Sequence, residues 1–243
     1  MPAKERILVG HPYADRFCTN RGGDPRCYFI TGTGEPDKIV TTAVAAARGG
    51  AGMIQVRSKP ISARDLYTLT VQVARAVHDA APRTRVVVDD RVDVAAALMR
   101  AGEPVHGVHI GQDDLPVPAA RELLGSDAII GLTTGTLELV EAANEFADML
   151  DYIGCGPFRT TPTKDSGRAP LGLEGYPPIV AASRLPVIAI GDVTLADVAD
   201  LAATGIDGVA VVRALMNAED PEGFARGVVE EFEAGRPKQQ PKG

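Results

Sequence analysis

The sequence predicts an α/β protein with the (β/α)8 architecture of a TIM barrel, and three observations lead to that prediction. Eight short apolar runs, rich in β-branched residues, alternate along the chain with stretches of helical periodicity. Such alternation favours parallel strands joined by right-handed crossovers. The length of 243 residues suits a closed barrel, which typically needs about 250. An open doubly wound sheet is the alternative, although residues 31–35 lack the third glycine of a dinucleotide-binding turn.

The eight strand candidates are residues 27–31, 53–56, 85–88, 107–110, 128–132, 152–154, 187–190 and 208–212. Helices are predicted between them at residues 37–48, 63–81, 93–100, 118–124, 136–149, 195–203 and 221–232. The sixth connection, residues 157–185, is predicted to be mostly loop with a short helix near 176–183. Three regions follow: an irregular N-terminal extension over residues 1–26, a barrel catalytic domain over 27–233 and a disordered tail over 234–243.

Composition and charge argue against several classes of protein. The net charge is −7 and there is no long basic run, which disfavours nucleic-acid binding. No apolar run reaches the length of about 18 residues that a membrane span needs, and residues 7–10 are too short for a signal-peptide core. The three cysteines match no metal-binding spacing and are expected to be free thiols. We therefore expect a cytoplasmic protein with small-molecule partners, without nucleic acid or membrane; a homo-oligomer stays open.

Polar residues are informative at the carboxyl ends of the strands, where TIM barrels place their chemistry. After the second strand, Gln55, Arg57 and Lys59 alternate and therefore lie on one face of an extended segment. One amide and two cations at a strand end favour an anion site. The alternative is an edge of surface salt bridges.

Carboxylates follow the next two strands. The third strand ends in Asp89-Asp90, and the fourth is followed by Asp113-Asp114. Neighbouring strand ends can share a divalent cation, and Mg²⁺ prefers one or two carboxylates, several waters and phosphate oxygens. The alternative is N-capping of the helices that follow. Because these carboxylates follow strands next to the cations Arg57 and Lys59, a metal site is the favoured interpretation.

The remaining strand ends also carry polar groups. Thr133 follows the fifth strand, and the hydroxyl- and lysine-rich loop 160–168 follows the sixth and suits a phosphate; a solvated loop is the alternative. The last two strands lead into Asp192 and Arg213, where many barrels hold a phosphate. Arg213 fits that role, whereas Asp192 fits only if it faces away or binds a hydroxyl or amine. His109 is expected in the core or in support of another residue, not in catalysis.

Four segments, in order and at fitting spacing, resemble motifs of the thiamine-phosphate synthase family. They are the Gln-x-Arg-x-Lys stripe at 54–59, the fourth strand and its end at 107–114, the Gly-Pro and Thr-Pro-Thr-Lys segments within 156–164, and the closing strand at 208–214. The similarity runs from Tyr28 to Pro221. It implies a TIM barrel that joins hydroxymethylpyrimidine diphosphate to thiazole phosphate, releasing thiamine phosphate and diphosphate, with Mg²⁺ as cofactor.

The resemblance also implies roles for individual residues. Those implied to hold the pyrimidine and its diphosphate are Gln55, Arg57, Lys59, Asp89, Thr133 and Lys164. Among them, the residues implied to be catalytic are Arg57, Lys59 and Lys164. Those implied to bind Mg²⁺ are Asp90 and Asp114. Those implied to lie near the thiazole phosphate are Thr161, Thr163, Gly191, Val212 and Arg213.

Four positions depart from the family pattern. Asp89 stands where asparagine is usual, and Gly135 stands where a histidine often occurs. Asp192 replaces the second glycine of a pair, and Arg213 replaces a common serine. The departures leave two alternatives to an active synthase: a related phosphate-binding barrel enzyme with altered substrates, and a non-catalytic barrel that binds thiamine intermediates. A thiazole tautomerase is disfavoured, because Gly135 lacks the imidazole that such a relative carries there.

Overall fold

A computed structural model describes residues 23–160 and 167–237. Parallel strands pair in sequence order within this part of the chain, and the last pairs with the first, so the sheet closes into a barrel. The strands are β1 (Cys27–Ile30), β2 (Met53–Val56), β3 (Arg85–Asp89), β4 (Gly107–Ile110), β5 (Ile129–Thr134), β6 (Tyr152–Cys155), β7 (Val187–Ile190) and β8 (Gly208–Val211). The closed barrel confirms the (β/α)8 prediction and excludes the open sheet.

Helices cover the outside of the barrel between successive strands. They are α1 (Pro36–Arg48), α2 (Ala63–Ala80), α3 (Val92–Arg100), α4 (Val117–Leu124), α5 (Leu137–Asn144), α6 (Tyr176–Ala182), α7 (Val198–Ala203), α8 (Arg213–Met216) and α9 (Pro221–Gly235), with a 3-10 turn (Leu195–Asp197) before α7. α2 buries Leu66, Leu69 and Val73, which is the spacing that predicts it. α6 confirms the short helix predicted within the sixth connection.

Some element ends differ from the prediction, and the differences affect the site. β3 continues through Asp89, and β5 continues through Thr134. Asp89 pairs with His109, and Thr133 pairs with Gly154, so sheet pairing holds these polar residues in register. Side chains predicted at the start of loops therefore lie on the wall of the barrel.

Two helices also end elsewhere than predicted. α5 ends at Asn144 and is followed by turns over residues 145–149, because its apolar face is short. α9 continues to Gly235, beyond the predicted end at residue 232. Phe232, at the predicted end, is fully buried. The last buried contact of the helix therefore lies where the sequence predicts it, and the helix continues beyond that contact.

The apolar core has two layers, separated by the sheet. The larger layer lies between strands and helices and includes Phe29 and Ile54. The smaller layer fills the barrel interior and includes Tyr28, Ile129 and Ile188. Successive residues of a strand point to opposite faces, so Tyr28 and Phe29 enter different layers. The interior layer supports the polar side chains above it.

The expectations on membrane spans and on cysteines can be compared with the described residues. Among the described residues, no helix combines the length and the apolar character needed to cross a membrane. Cys27 and Cys155 are free and buried, as their spacing predicts. Cys18 lies outside the described residues, together with residues 1–22 of the predicted extension and 238–243 of the predicted tail.

Candidate active site

A cavity of about 420 Å³ opens at the carboxyl ends of the strands. This volume lies within the range of about 300–1,000 Å³ that is typical of small-molecule sites. In a closed barrel of eight strands, β3 and β7 lie four strands apart and face each other across the opening. Charged residues line both sides: Arg57, Asp89, Asp90 and Asp114 on the first, Asp192 and Arg213 on the second. One cavity thus has two charged sides.

The Gln-x-Arg-x-Lys stripe belongs to the first side. Gln55 is 2% exposed and donates from Nε2 to Tyr28 Oη at 2.8 Å. Arg57 lines the cavity, and its backbone N–H donates to Thr31 Oγ1 at 2.8 Å. Lys59 Nζ lies 3.1 Å from Asp89 Oδ2, and Arg57 Nε lies 3.6 Å from the same oxygen. Gln55 and Arg57 therefore face the cavity rather than a surface edge, and Lys59 pairs with Asp89 beside it.

Asp89 joins the two cations of the stripe. Its carboxylate is buried at the end of β3. Burial and the charge of Asp90 raise the pKa of Asp89 to about 6, although Lys59 and Arg57 oppose this shift. The asparagine usual in the family would accept the same hydrogen bonds without a charge. The carboxylate therefore adds ion pairing that draws Arg57 and Lys59 together.

Asp90 and Asp114 approach each other beside Lys59. Asp90 has a left-handed backbone with φ of 58°, and its carboxylate accepts a hydrogen bond from Lys59 Nζ. Asp114 Oδ2 accepts the backbone N–H of Gly111 at 2.6 Å. Burial raises the pKa of Asp90, but Lys59 outweighs burial and the net shift is downward. Burial and the nearby Asp90 raise the pKa of Asp114.

The helix-capping alternative for these carboxylates is wrong. The N-cap of α3 is Arg91 and that of α4 is Pro116, and neither helix has a side-chain cap. Two carboxylates held together instead need a nearby cation. Oxygen ligands from one or two carboxylates suit Mg²⁺, which keeps waters and phosphate oxygens as its other ligands. The carboxylates of Asp90 and Asp114 line the cavity and offer such oxygen ligands. Among the described residues, no group of three or more metal-ligating side chains occurs.

Thr133 lies on the cavity wall, on β5. Its Oγ1 is 2.9 Å from His109 Nε2, and His109 Nδ1 is 3.0 Å from Tyr152 Oη. His109 thus contacts two polar side chains, in keeping with the supporting role expected of it. Tyr28 and Tyr152 were absent from the sequence-based candidates. Their signal is a tyrosine at an inward-facing strand position, where aliphatic residues are usual.

The second charged side is built from the ends of β7 and β8. Gly191 has φ of 117°, and a Cβ there would lie 2.6 Å from the backbone nitrogen of Phe158. Asp192 is also left-handed, with φ of 57°, and it lines the cavity with Val212. Arg213 Nη2 donates to Asp192 Oδ1 at 2.5 Å. Asp192 therefore does not face away, and Arg213 neutralises its charge.

Arg168 is a cavity residue that the sequence alone does not single out. Its Nη1 donates to the carbonyl oxygen of Thr134 at 2.9 Å. A Cβ at Gly135 would lie 2.3 Å from the carbonyl oxygen of Gly156 and 3.3 Å from Arg168 Nη1. The histidine common at position 135 therefore has no room in this backbone. Arg168 is the last cation of the loop after β6, which is the only signal that could have identified it.

Thr161, Thr163 and Lys164 lie outside the described residues. Their implied contacts with the two substrates stay predictions from the sequence.

Comparison with known proteins identifies the family and agrees with the fold. Residues 27–215 match the family model described as thiamine monophosphate synthase. The thiamine-phosphate synthase of Corynebacterium jeikeium is 66% identical over 86% of this chain and 95% of its own. That of Corynebacterium efficiens is 63% identical over 88% and 97%. The solved thiamine phosphate pyrophosphorylase of Pyrococcus furiosus superposes with a TM-score of 0.74 and 29% identity, covering 88% of this chain and 98% of that one. The chain belongs to the thiamine monophosphate synthase family.

Proposed function

We propose that the protein joins hydroxymethylpyrimidine diphosphate to thiazole phosphate and releases thiamine phosphate and diphosphate. The observation that carries the proposal is one cavity with two facing charged sides. The first side combines Arg57 and Lys59 with the carboxylates of Asp90 and Asp114. The second side holds Arg213. Such an arrangement suits two phosphorylated substrates that react between the two sides.

The reaction breaks the bond between the pyrimidine methylene carbon and a diphosphate oxygen, and the electron pair leaves with the diphosphate. The thiazole nitrogen then donates its lone pair to that carbon. No protein nucleophile is needed. Arg57 and Lys59 neutralise the charge that grows on the departing diphosphate, and placing them in advance lowers the cost of reorganisation. Holding both substrates in one cavity removes an entropic barrier, worth roughly 7–11 kcal/mol in ideal cases.

Asp90 and Asp114 would hold Mg²⁺, and Lys164 would contact the diphosphate. When bound, the metal supplies Lewis-acid stabilisation of diphosphate oxygens. Asp89 keeps Arg57 and Lys59 beside the metal ligands. A cytoplasmic location stays a prediction from the sequence, and a homo-oligomer stays an open alternative.

The direct test mixes the purified protein with both substrates and Mg²⁺ and measures thiamine phosphate and diphosphate. Asp90→Asn should lower kcat by roughly 100-fold or more, the usual loss when a stabilising group is removed from a transition state. Asp93→Asn is the matched control, because Asp93 is exposed on α3 and pairs with Arg91. Its kcat should change by no more than about twofold.

Other outcomes separate the alternatives. Binding of thiazole phosphate without product, at any pH or with any divalent metal, would indicate a non-catalytic barrel. Product from a different pair of phosphorylated substrates would indicate an enzyme with altered substrates. Full activity in the presence of a strong chelator would contradict the assignment of Mg²⁺. It would leave the proposed reaction standing.

A further inference from the structure

The segment that follows β6 packs against the end of β7 through three successive carbonyl groups. The carbonyl oxygen of Ile190 accepts the backbone N–H of Phe158 at 2.8 Å, and that of Gly191 accepts the backbone N–H of Arg159 at 3.1 Å. The carbonyl oxygen of Asp192 accepts a hydrogen bond from Nη1 of the same arginine at 3.2 Å. Backbone pairing with this segment therefore ends at Gly191, and a side chain continues it by one residue.

Asp192 is the residue whose conformation needs this support. Its φ of 57° is left-handed, which brings the Cβ of an ordinary residue too close to the following carbonyl oxygen, whereas glycine adopts this conformation freely. Aspartate replaces a glycine of the family pattern at this position. A left-handed aspartate is strained and persists only when the surrounding structure holds it. The replacement therefore calls for a contact that the glycine turn does not require.

The guanidinium of Arg159 is itself held from two other sides. Its Nη1 donates to Asp197 Oδ2 at 2.8 Å, and its Nη2 donates to Asp197 Oδ1. The side chain of Asp197 is 12% exposed, and its carboxylate also accepts the backbone N–H and the hydroxyl of Thr194, at 2.9 and 2.7 Å. The central carbon of the guanidinium lies 4.5 Å from the centre of the Phe158 ring. The planar fork of arginine can thus bind a carboxylate and a carbonyl group at once.

These contacts lead from the outside of the barrel to the cavity. Arg159 does not line the cavity, whereas Gly191, Asp192 and Val193 do. Asp192 Oδ1 in turn accepts a hydrogen bond from Arg213 Nη2 at 2.5 Å. A change in the backbone of Asp192 would move both its carboxylate and the guanidinium that pairs with it. Arg159 consequently acts on a ligand in the cavity through Asp192.

We propose that Arg159 is a positioning residue that holds Asp192 in its left-handed conformation and thereby fixes the cavity wall that faces the thiazole phosphate. The two residues compensate each other, because the arginine supplies the support that aspartate, unlike glycine, requires. A wall that is ordered in advance spares the ligand the cost of ordering it on binding. The identity of the ligand rests on the proposed function, whereas the support of Asp192 is a property of the protein alone.

Crystal structures of the unsubstituted protein and of Arg159→Ala test this support without any ligand. Asp192 should be left-handed in the first, and in the second it should leave that conformation or occupy more than one. Arg75→Ala is the matched control, because Arg75 forms another two-pronged pair, with Glu103, on α2 outside the cavity. The control should keep the turn unchanged. A single, left-handed Asp192 in Arg159→Ala would overturn the proposal.

Calorimetry with thiazole phosphate separates an effect through Asp192 from any other effect of Arg159. Arg159→Ala should weaken the affinity roughly tenfold, because the wall must then be ordered during binding. In the Asp192→Gly background, the same substitution should change the affinity by no more than about twofold, since glycine adopts the turn without support. An equal loss in both backgrounds would show that Arg159 acts independently of Asp192, and the proposed compensation would be refuted.

Steady-state kinetics extends the comparison to the working enzyme. The KM for thiazole phosphate should rise in Arg159→Ala, while the KM for the pyrimidine diphosphate should stay within about twofold, because that substrate is assigned to the opposite side of the cavity. Equal rises in both KM values would indicate a general loss of structure and count against a positioning role. If no form of the protein makes product, the proposed function fails, while the crystal structures still decide whether Arg159 holds Asp192.

Discussion

At the scale of single residues, the pair formed by Asp192 and Arg213 is the largest departure from a plain phosphate pocket. Both side chains are partly exposed, at 35% and 43%, so the ion pair itself contributes little to stability. Its importance is for the ligand, because a carboxylate on the cavity wall competes with a phosphate for the same guanidinium. A phosphate carries more charge than the carboxylate and can form paired hydrogen bonds with arginine. The guanidinium of Arg213 can therefore exchange its ion pair with Asp192 for hydrogen bonds with the substrate phosphate.

Substitutions of this pair should act on one substrate only. Arg213→Ser should raise the KM for thiazole phosphate by roughly 10- to 100-fold, the value of a charge-assisted hydrogen bond of about 1.5–3 kcal/mol. Asp192→Asn should lower the same KM several-fold, because it removes the competing charge. The KM for the pyrimidine diphosphate should stay constant in both variants. Steady-state kinetics with each substrate varied in turn measures this, and a higher thiazole phosphate KM in Asp192→Asn would show that Asp192 aids binding.

His106 links the stability of the protein to pH. Its Nδ1 accepts the backbone N–H of Val86 at 3.1 Å. Burial and the charge of Arg85 lower the pKa of His106 to about 4, whereas an unfolded histidine titrates near 6.5. The unfolded state therefore binds the proton first as pH falls. The stabilising contribution is complete above pH 6.5 and is lost as the pH drops from about 6.5 to about 4.

Urea unfolding at pH 7 and pH 4.5 should reveal this contribution. His106→Asn keeps an acceptor near the Val86 N–H but cannot be protonated. The loss of unfolding free energy between the two pH values should be smaller in the variant by roughly 1–3 kcal/mol. Identical pH dependence in His106→Asn and the unsubstituted protein would contradict the assignment.

At the scale of elements, Arg121 ties a helix to two strands. From α4 it donates to the carbonyl oxygens of Ala128 and Met149, and to Asp151 Oδ2, at 2.7, 2.6 and 3.1 Å. These acceptors lie just before β5 and just before β6. The side chain of Arg121 is 14% exposed and that of Asp151 is 4% exposed. The guanidinium thus connects α4 to backbone carbonyl groups beside two strands.

Arg121→Ala should lower the free energy of unfolding by about 3–5 kcal/mol, because it breaks a buried ion pair with Asp151. Arg91→Ala removes an arginine from an exposed pair with Asp93. This substitution should change the free energy of unfolding by less than about 1 kcal/mol. Chemical denaturation monitored by circular dichroism measures both. A cost for Arg121→Ala as small as that of Arg91→Ala would contradict the buried role.

The barrel elements were predictable because two periods dominate the sequence: short β-branched runs and helices with an apolar face. The ends of elements were less predictable. β5 continues through Thr133 and Thr134 because β6 lies alongside and pairs with both residues, and no local pattern contains that neighbour. α5 ends at Asn144 because its apolar face is short, with Val140 and Ala143 as its buried residues.

Within the site, placement was predictable, whereas contacts between side chains were not. The period of two in a strand put Gln55 and Arg57 on the cavity face. The hydrogen bonds below them join side chains from five strands, and these side chains are far apart in the sequence. The sequence placed Asp192 and Arg213 at neighbouring strand ends, but it did not show that Asp192 faces the cavity, where its backbone is left-handed.

At the scale of the whole molecule, ligand binding should appear as thermal stability. Diphosphate at about 100 times its Kd adds about 2.7 kcal/mol, which for a domain of this size raises Tm by roughly 5–10 °C. The rise should require Mg²⁺ and be lost in Asp90→Asn, while Asp93→Asn should retain it. Thermal unfolding with Mg²⁺ or with a chelator measures the difference. An equal rise in the presence of the chelator would show that the cations alone bind diphosphate.

The closure of the barrel by β1 and β8 also has a consequence for synthesis on the ribosome. Tyr28 on the first strand and Ala210 on the last are register partners, and both line the cavity. An emerging chain that lacks β8 leaves the edge of β1 unpaired and the cavity open on that side. Substrates therefore cannot assist the nascent chain, which depends on its own apolar packing or on chaperones until the last strand emerges.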